Sequence, residues 1–408
     1  MHDRKCVRCR ILAIGDFPEG GAVSQRLYLL TKLLHKGLGN AELWLLHPTS
    51  KVALPENEAT EGVWQGVRFR YLSCSTLRPA SAFGAFRDTL AGILGCVKEL
   101  WGARNRPDVL VLYTPLFFKF IGPMVLAKLL GIPVVVEACE IPSTLLDKQA
   151  FGWVRRLANS GESLMEYLIP RFAQGLLPIS LRIQEYYRQR GLADDASYLL
   201  PALIDYEFYQ TSGRNAVEVL RGQRFFLNSG TFTEKDGLPY LISAVSRVRV
   251  NYPDIKLVFT GAPRPEMRER LLNIAGDDAA EWIVFTGFLS RDQLVWCYKH
   301  AVGLLSCRSN SLFANFGFPT KLAEYLASAT PVVATRVGDV EEYLTDGKNA
   351  FLASPENVES IAGALKRLLA DPAAAASIGI AGNEVAEKFF DYSVHVAPLA
   401  DFVSRRIG

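Results

Sequence analysis

Short apolar runs recur along the chain, each closed by a glycine or polar turn and most followed by a stretch with helical spacing. The first run, Arg10 to Ile14, ends at Gly15. After a turn rich in Pro and Gly, Val23 to His35 puts Leu27, Leu30, Leu33 and Leu34 on one side of a helix. Glu42 to Leu46 predicts the next strand. Val109 to Tyr113 and Pro133 to Glu137 predict two more, separated by a helix over Met124 to Leu130 and the break Gly131-Ile132-Pro133. Such alternation predicts a parallel sheet with helices on both faces.

The same alternation restarts after Pro201-Ala202-Leu203-Ile204-Asp205. Strands are expected over 224–228, 256–260, 282–286, 301–306, 331–335 and 350–353, with a helix over Leu238 to Val250. The chain thus divides into two α/β domains, residues 1–204 and 205–389, without a sequence repeat between them. Two Rossmann-like domains of like size are expected to face a central cleft. In open α/β sheets ligands bind beyond the carboxyl ends of strands, so site residues belong in the loops just after strands.

Composition narrows the class. With 408 residues, 49% of them hydrophobic, the chain can bury two cores. A net charge of +3 does not call for nucleic acid. Seven scattered cysteines do not form a disulfide framework, and Cys6 and Cys9 lack the further ligands a zinc site needs. The charged start, Met1 to Arg10, does not resemble a secretory leader, and the apolar stretch from Val109 to Val136 is interrupted by Lys119, Lys128 and prolines. A cytoplasmic protein is expected. Aromatic and basic residues interleave at Phe117-Phe118-Lys119-Phe120 and at Phe151, Trp153, Arg155 and Arg156, which suggests peripheral contact with anionic lipid at the inner face of the cell membrane.

Three stretches could carry chemistry. Gly20-Gly21-Ala22 follows the first strand and opens a helix, where backbone N–H groups can meet an anion or a sugar hydroxyl. Gly230 to Gly237 joins a strand to a helix and presents Lys235, whose ammonium can reach phosphate. Phe318-Pro319-Thr320 starts a helix on which Lys321 and Glu324, three apart, share a face beside the free N–H groups. A tight turn, a solvated lysine and a surface salt bridge are the competing structural roles. No D-x-D, H-E-x-x-H, Walker loop, nucleophile elbow or G-x-G-x-x-G is present, and the five histidines lack ligand spacing.

In order, the chain carries Gly20-Gly21, then Gly230 with Glu234-Lys235-Asp236-Gly237, Gly287, Phe318-Pro319-Thr320-Lys321 with Glu324, Thr330 to Thr335, and Gly338 with Glu342. This pattern resembles family four of the retaining glycosyltransferases, with the GT-B fold, and the form Phe-Pro-Thr-Lys-x-x-Glu-Tyr resembles a branch that builds bacterial surface polysaccharides. The resemblance implies metal-independent transfer of a sugar from a UDP- or GDP-linked donor to a saccharide or lipid-linked saccharide, with no cofactor. It implies that Lys235 binds the donor diphosphate and Glu324 the ribose. It places Gly287, Phe288 and Leu289 near the base, and Gly230, Thr231, Phe316, Thr320 and Lys321 around the donor. The last helix, about residues 390–408, resembles one that crosses back to the N-terminal domain. The chain departs from the pattern twice: Phe316 stands where the family has a Glu that touches the donor sugar, and Thr231 where an Arg is common. Arg308, just after a strand, is expected to replace that Arg in catalysis. Gly20, Gly21, Glu137 and Glu140 are expected on the acceptor side. A non-catalytic nucleotide-sugar-binding module and a GT-B sugar-nucleotide epimerase are the alternatives.

Overall fold

The computed structural model describes residues 6–103, 105–141, 153–230 and 232–407. Two compact units emerge: Met1–Leu203 together with Tyr392–Gly408, and Ile204–Asp391.

The first unit is built on a seven-stranded sheet of order β3-β4-β2-β1-β5-β6-β7. Its strands are β1 (Val7–Ala13), β2 (Gly39–Leu45), β3 (Glu61–Trp64), β4 (Val67–Tyr71), β5 (Val109–Tyr113), β6 (Val134–Ala138) and β7 (Gly175–Pro178). All pairings are parallel except the β3–β4 hairpin. Helices α1 (Ala22–Leu38), α2 (Ala82–Trp101), α3 (Phe117–Leu129), α4 (Trp153–Phe172) and α5 (Leu181–Arg188) connect them. The central strands are continuous apolar runs because both sheet faces are covered: Ile11, Leu43, Val111 and Val135 are fully buried.

Two elements differ from expectation for local reasons. β1 starts at Val7, earlier than the apolar run, because Arg8 extends the ladder: its N–H donates to Asp108 Oδ2 at 2.8 Å and its guanidinium pairs with Oδ1 at 3.0 Å. α3 begins at Phe117, ahead of the expected Met124, and takes Pro123 into its interior. The first turn forms through Phe120 N–H on Leu116 O (3.0 Å), and Glu162 accepts the N–H of Phe117 at 3.2 Å.

The second unit carries a six-stranded parallel sheet of order β10-β9-β8-β11-β12-β13. These are β8 (Arg224–Ser229), β9 (Ile255–Thr260), β10 (Ile283–Phe285), β11 (Gly303–Ser306), β12 (Val332–Thr335) and β13 (Phe351–Ala353). The helices are α6 (Tyr206–Thr211), α7 (Leu238–Arg249), α8 (Pro265–Ala275), α9 (Ala279–Trp282), α10 (Arg291–His300), α11 (Leu312–Phe316), α12 (Thr320–Ala327), α13 (Val340–Tyr343), α14 (Val358–Ala370) and α15 (Pro372–Val385). In both sheets the chain builds outward from its first strand in one direction, then returns to build the other half. The reversal falls between β1 and β5 in one unit and between β8 and β11 in the other. Loops diverge there and leave a crevice beyond the strand ends.

The ends of the second unit lie side by side. Ile204 forms a bridge with Asp391, Ile204 N–H donates to Phe390 O at 2.9 Å, and Tyr206 N–H donates to Asp391 Oδ1 at 3.1 Å. The final helix α16 (Val396–Ser404) then packs against α1 of the first unit, where Gly37 and Ala400 meet so closely that a methyl group on Gly37 would lie 2.7 Å from Ala400 Cβ.

Candidate functional site

The crevice between β8 and β11 is where the second unit concentrates chemistry. β8 leads into the loop 230–237 and β11 into Cys307, Arg308 and Ser309. These loops lock together at Gly237. Its φ of +60° is left-handed, and a Cβ there would sit 2.1 Å from Cys307 O, so only glycine allows the approach. Ser309 N–H donates to Lys235 O at 2.9 Å. Asp236 shapes the same loop by accepting both the N–H and the hydroxyl of Thr233, each at 2.8 Å.

Lys235 sits in a short 3₁₀ turn, Glu234–Asp236, with its ammonium 4.5 Å from the ring centre of Phe313 on α11. Arg308 is buried; its backbone carbonyl accepts the Thr335 hydroxyl at 2.8 Å, and its guanidinium lies 3.4 Å from Gly317 O. Lys321, in the first turn of α12, brings a third cation: its Nζ would be 3.9 Å from a methyl group on Gly230. Burial lowers the Lys321 pKa; Glu324 and Asp236 raise it in part, while nearby Lys235 lowers it further. Lys235, Arg308 and Lys321 therefore gather at the ends of β8 and β11 and at the start of α12. Thr320 is the first residue of that helix, and no side chain caps its N-terminus. Such a collection of cations and backbone donors favours a multiply charged anion.

Glu324, one turn along α12, is held from beneath. The buried Tyr298 hydroxyl donates to its Oε2 at 3.0 Å, and the buried Tyr209 hydroxyl is a second hydrogen-bond partner. Burial pushes the Glu324 carboxyl up; Lys321, Tyr298 and Arg291 draw it back. The network continues behind: Thr260 donates to Ser229 Oγ at 2.8 Å, and Ser229 N–H donates to the Tyr325 hydroxyl at 2.7 Å. The contacts of Tyr298 and Tyr209 with Glu324 were not legible in the sequence. The two tyrosines come from α10 and α6, far from Glu324 in sequence, and no spacing announces them.

The remaining expected residues are placed as follows. Gly287 lies just past β10, where its carbonyl accepts Gly261 N–H at 2.8 Å. Phe288 beside it is 87% exposed and Leu289 is partly buried. Phe316 ends α11, partly buried. Thr231 lies outside the described residues. In the first unit, Gly20 and Gly21 are exposed at the start of α1, and Glu140 is partly exposed in the turn after β6. Glu137 requires a correction. Rather than facing an acceptor, it is fully buried and pairs with Arg26 Nε at 2.6 Å. Phe117 and Lys119 are partly buried and Phe120 is buried, so of that aromatic run only Phe118 is exposed; Phe151 lies outside the described residues. Of the C-x-x-C pair, Cys9 is buried within β1, its thiol pushed up to about 12 by burial, while Cys6 is exposed.

Residues 223–371 match the family model described as glycosyl transferases group 1. The chain is 31% identical over 175 residues to the GDP-mannose-dependent alpha-(1-6)-phosphatidylinositol monomannoside mannosyltransferase of Mycolicibacterium smegmatis, covering 42% of this chain and 45% of that protein. It is 25% identical over 298 residues to a sulfoquinovosyl transferase of Arabidopsis thaliana, covering 70% of this chain and 54% of that one. The chain thus spans about half the length of the curated relatives it matches. Among solved structures, HepE of Anabaena in complex with UDP and glucose superposes with a TM-score of 0.70 at 15% identity, over 98% of this chain and 99% of that one. A sucrose-phosphate synthase of Thermosynechococcus elongatus gives 0.70 at 16% identity, over 98% and 99%. These likenesses identify the fold as GT-B, built from two parallel-sheet α/β units.

Proposed function

We propose that this chain is a retaining, metal-independent glycosyltransferase, a reading supported by the match of residues 223–371 to the glycosyl transferases group 1 family model. It moves a sugar from a UDP- or GDP-linked donor to a hydroxyl of a saccharide or lipid-linked saccharide, in cell-surface polysaccharide synthesis at the inner face of the membrane. The observation that carries the reading is the convergence of Lys235, Arg308 and Lys321 where the sheet order reverses. The Anabaena neighbour, which was solved with UDP, and the mannosyltransferase relative, whose name specifies GDP-mannose, support a nucleoside diphosphate as the anion.

In this mechanism the donor diphosphate lies across the crevice. The bond from the anomeric carbon to the phosphate oxygen breaks first, through an oxocarbenium-like transition state, and negative charge grows on the leaving diphosphate. Lys235, Arg308 and the N–H groups at Thr320 and Lys321 meet that charge. The acceptor hydroxyl attacks from the side the diphosphate leaves, so configuration is kept, and its proton passes to the departing phosphate oxygen. No separate general base is required. Glu324 accepts the ribose hydroxyls.

A panel of nucleotide sugars with saccharide acceptors, assayed in EDTA, tests this directly. Turnover is expected to survive chelation. Loss of turnover that Mg²⁺ or Mn²⁺ restores would refute metal independence, and inverted product configuration would refute retention.

The ribose role gives a graded prediction. Glu324→Ala should weaken nucleoside-diphosphate binding by about 1.5–3 kcal/mol, the worth of a hydrogen bond to a charged group. Tyr298→Phe leaves the carboxylate in place but removes the hydroxyl that orients it, so its loss should be smaller and of the same kind. Calorimetric titration checks both; wild-type affinity in Glu324→Ala would overturn the assignment.

A further inference from the structure

Helix α2 turns its apolar side toward water. Phe83, Phe86, Leu90, Leu94 and Trp101 are 77%, 65%, 44%, 58% and 67% exposed, at spacings of three, four and seven that make one stripe. At 1.5 Å per residue the stripe runs about 27 Å. The inward face is occupied by Asp88, Gly92, Cys96 and Leu100. Gly92 fits against Leu46 O, where a Cβ would lie only 2.0 Å away, so the helix is seated close to the sheet and cannot roll to hide the stripe.

The exposed apolar surface continues onto the neighbouring helices. α3 packs on α2 and α4 packs on α3. α3 adds Phe118, Val125 and Leu129, the last 78% exposed, and α4 adds Leu164 and Tyr167. Nearly half of the exposed large apolar side chains among the described residues sit on these three helices. Elsewhere such residues are scattered singly, which is ordinary for a protein surface.

Charge separates this surface from a generic sticky patch. Four acids lie on the described residues of the three helices, and all turn inward or pair. Asp88 is buried against Arg78 at 2.9 Å, and Glu99 pairs with Arg70 at 3.2 Å. Glu162 accepts Phe117 N–H, and Glu166 accepts the Tyr186 hydroxyl at 2.6 Å. The exposed charges are Arg87, Lys98, Lys128 and Arg171, every one positive. Arg171 stacks over the exposed Tyr167 ring at 3.6 Å, and Lys128 over Phe172 at 4.1 Å. Aromatic and aliphatic side chains rimmed by cations match the headgroup zone of an anionic bilayer, where the chain can shed apolar surface while its ammonium and guanidinium groups stay among lipid phosphates. No helix among the described residues is long and apolar enough to cross a membrane, so this contact lies on the surface.

We infer that the outer face of α2, α3 and α4 is a docking surface for an anionic membrane, with the α2 stripe lying in the plane of the headgroups. This inference stands apart from the reading of the donor site, because it uses none of that site's residues.

The test is flotation of the full chain with phosphatidylcholine vesicles containing about 30% phosphatidylglycerol, against pure phosphatidylcholine, at low salt and at about 0.5 M NaCl. Co-flotation with the anionic vesicles is expected, weakened several-fold by salt and largely absent with neutral lipid. Phe83→Ser/Leu90→Ser/Leu94→Ser should lower the partition at least about tenfold. Arg87→Glu/Lys98→Glu should abolish the preference for anionic lipid. All five positions are exposed, and the thermal unfolding transition of each variant, compared with that of the unaltered chain, serves as the control for folding. No co-flotation, equal binding to neutral vesicles, or full binding by the serine variant would each overturn the inference. So would a dimer in sedimentation that the serine variant dissolves without any vesicle binding, since a second copy would then be the occupant. Flotation without transfer would sink the enzymatic reading and leave this one standing.

Discussion

Lys235→Ala is expected to fold normally, bind donor modestly less well, and lose turnover by about 100- to 1000-fold. The argument rests on where the ammonium is held. Its backbone is fixed by the Ser309 bond and the Gly237 contact, while its ammonium rests over the Phe313 ring. A compact, movable charge can follow the phosphate oxygen as the bond to the sugar breaks, so its contribution grows in the transition state and appears in kcat. Arg308 is placed differently. It is buried, with its carbonyl tied to Thr335, and can only fork across oxygens already charged in the ground state. Arg308→Lys should therefore weaken donor binding at least as much as turnover, because one ammonium cannot copy the planar guanidinium. Steady-state kinetics at saturating acceptor, beside calorimetric binding of the nucleoside diphosphate, separates the two. Near-wild-type turnover in Lys235→Ala would remove the central residue of the mechanism.

The second large effect concerns stability, and it falls on Arg26. Its guanidinium is buried, donates to Glu137 Oε1 at 2.6 Å and to Leu200 O at 2.8 Å, and also bonds Pro201 O. Burial pushes the Glu137 carboxyl up and Arg26 pulls it back. Arg26→Met strips the partner from a fully buried carboxylate and leaves two carbonyls without their donor. A loss of about 3–5 kcal/mol in urea unfolding is expected, the range for breaking one side of a buried ion pair. Arg26→Met/Glu137→Met should recover part of that loss, because no lone charge remains. A single variant that loses less than about 1 kcal/mol would show the pair to be unimportant for stability.

That pair also marks what sequence could reveal. The alternation of apolar runs and amphipathic helices is a local signal, so β1, β2, β5, β6 and all six strands of the second sheet were legible, with ends displaced where side chains such as Arg8 extend a ladder. Lys235, Lys321 and Glu324 stand out in the sequence as candidates because strand-end loops and helix starts are where such chemistry gathers. Arg26 was not. It sits inside the leucine-rich helix α1, and its partners lie on β6 and at residues 200–201, more than 100 positions away. Glu137 was noticed for its place at a strand end, which is right for a ligand contact but equally right for a buried counter-ion. Helix α2 escaped the reading because the apolar spacing that normally points a helix inward here points outward.

The hydrogen-bonded meeting of Ile204 with Asp391 makes the second unit an insertion into the first. Its two ends leave from one point, so residues 204–391 form a cassette with adjoining splice sites. A chain cut at 391 would keep every strand of the second sheet yet strip α16 from α1, injuring the unit far from the cut in sequence. The reverse excision, removing 204–391 and closing the gap, would rejoin α16 to the unit on which it packs across a very short span. The two units are thus separable by recombination: a foreign cassette need only present two neighbouring ends to be accepted.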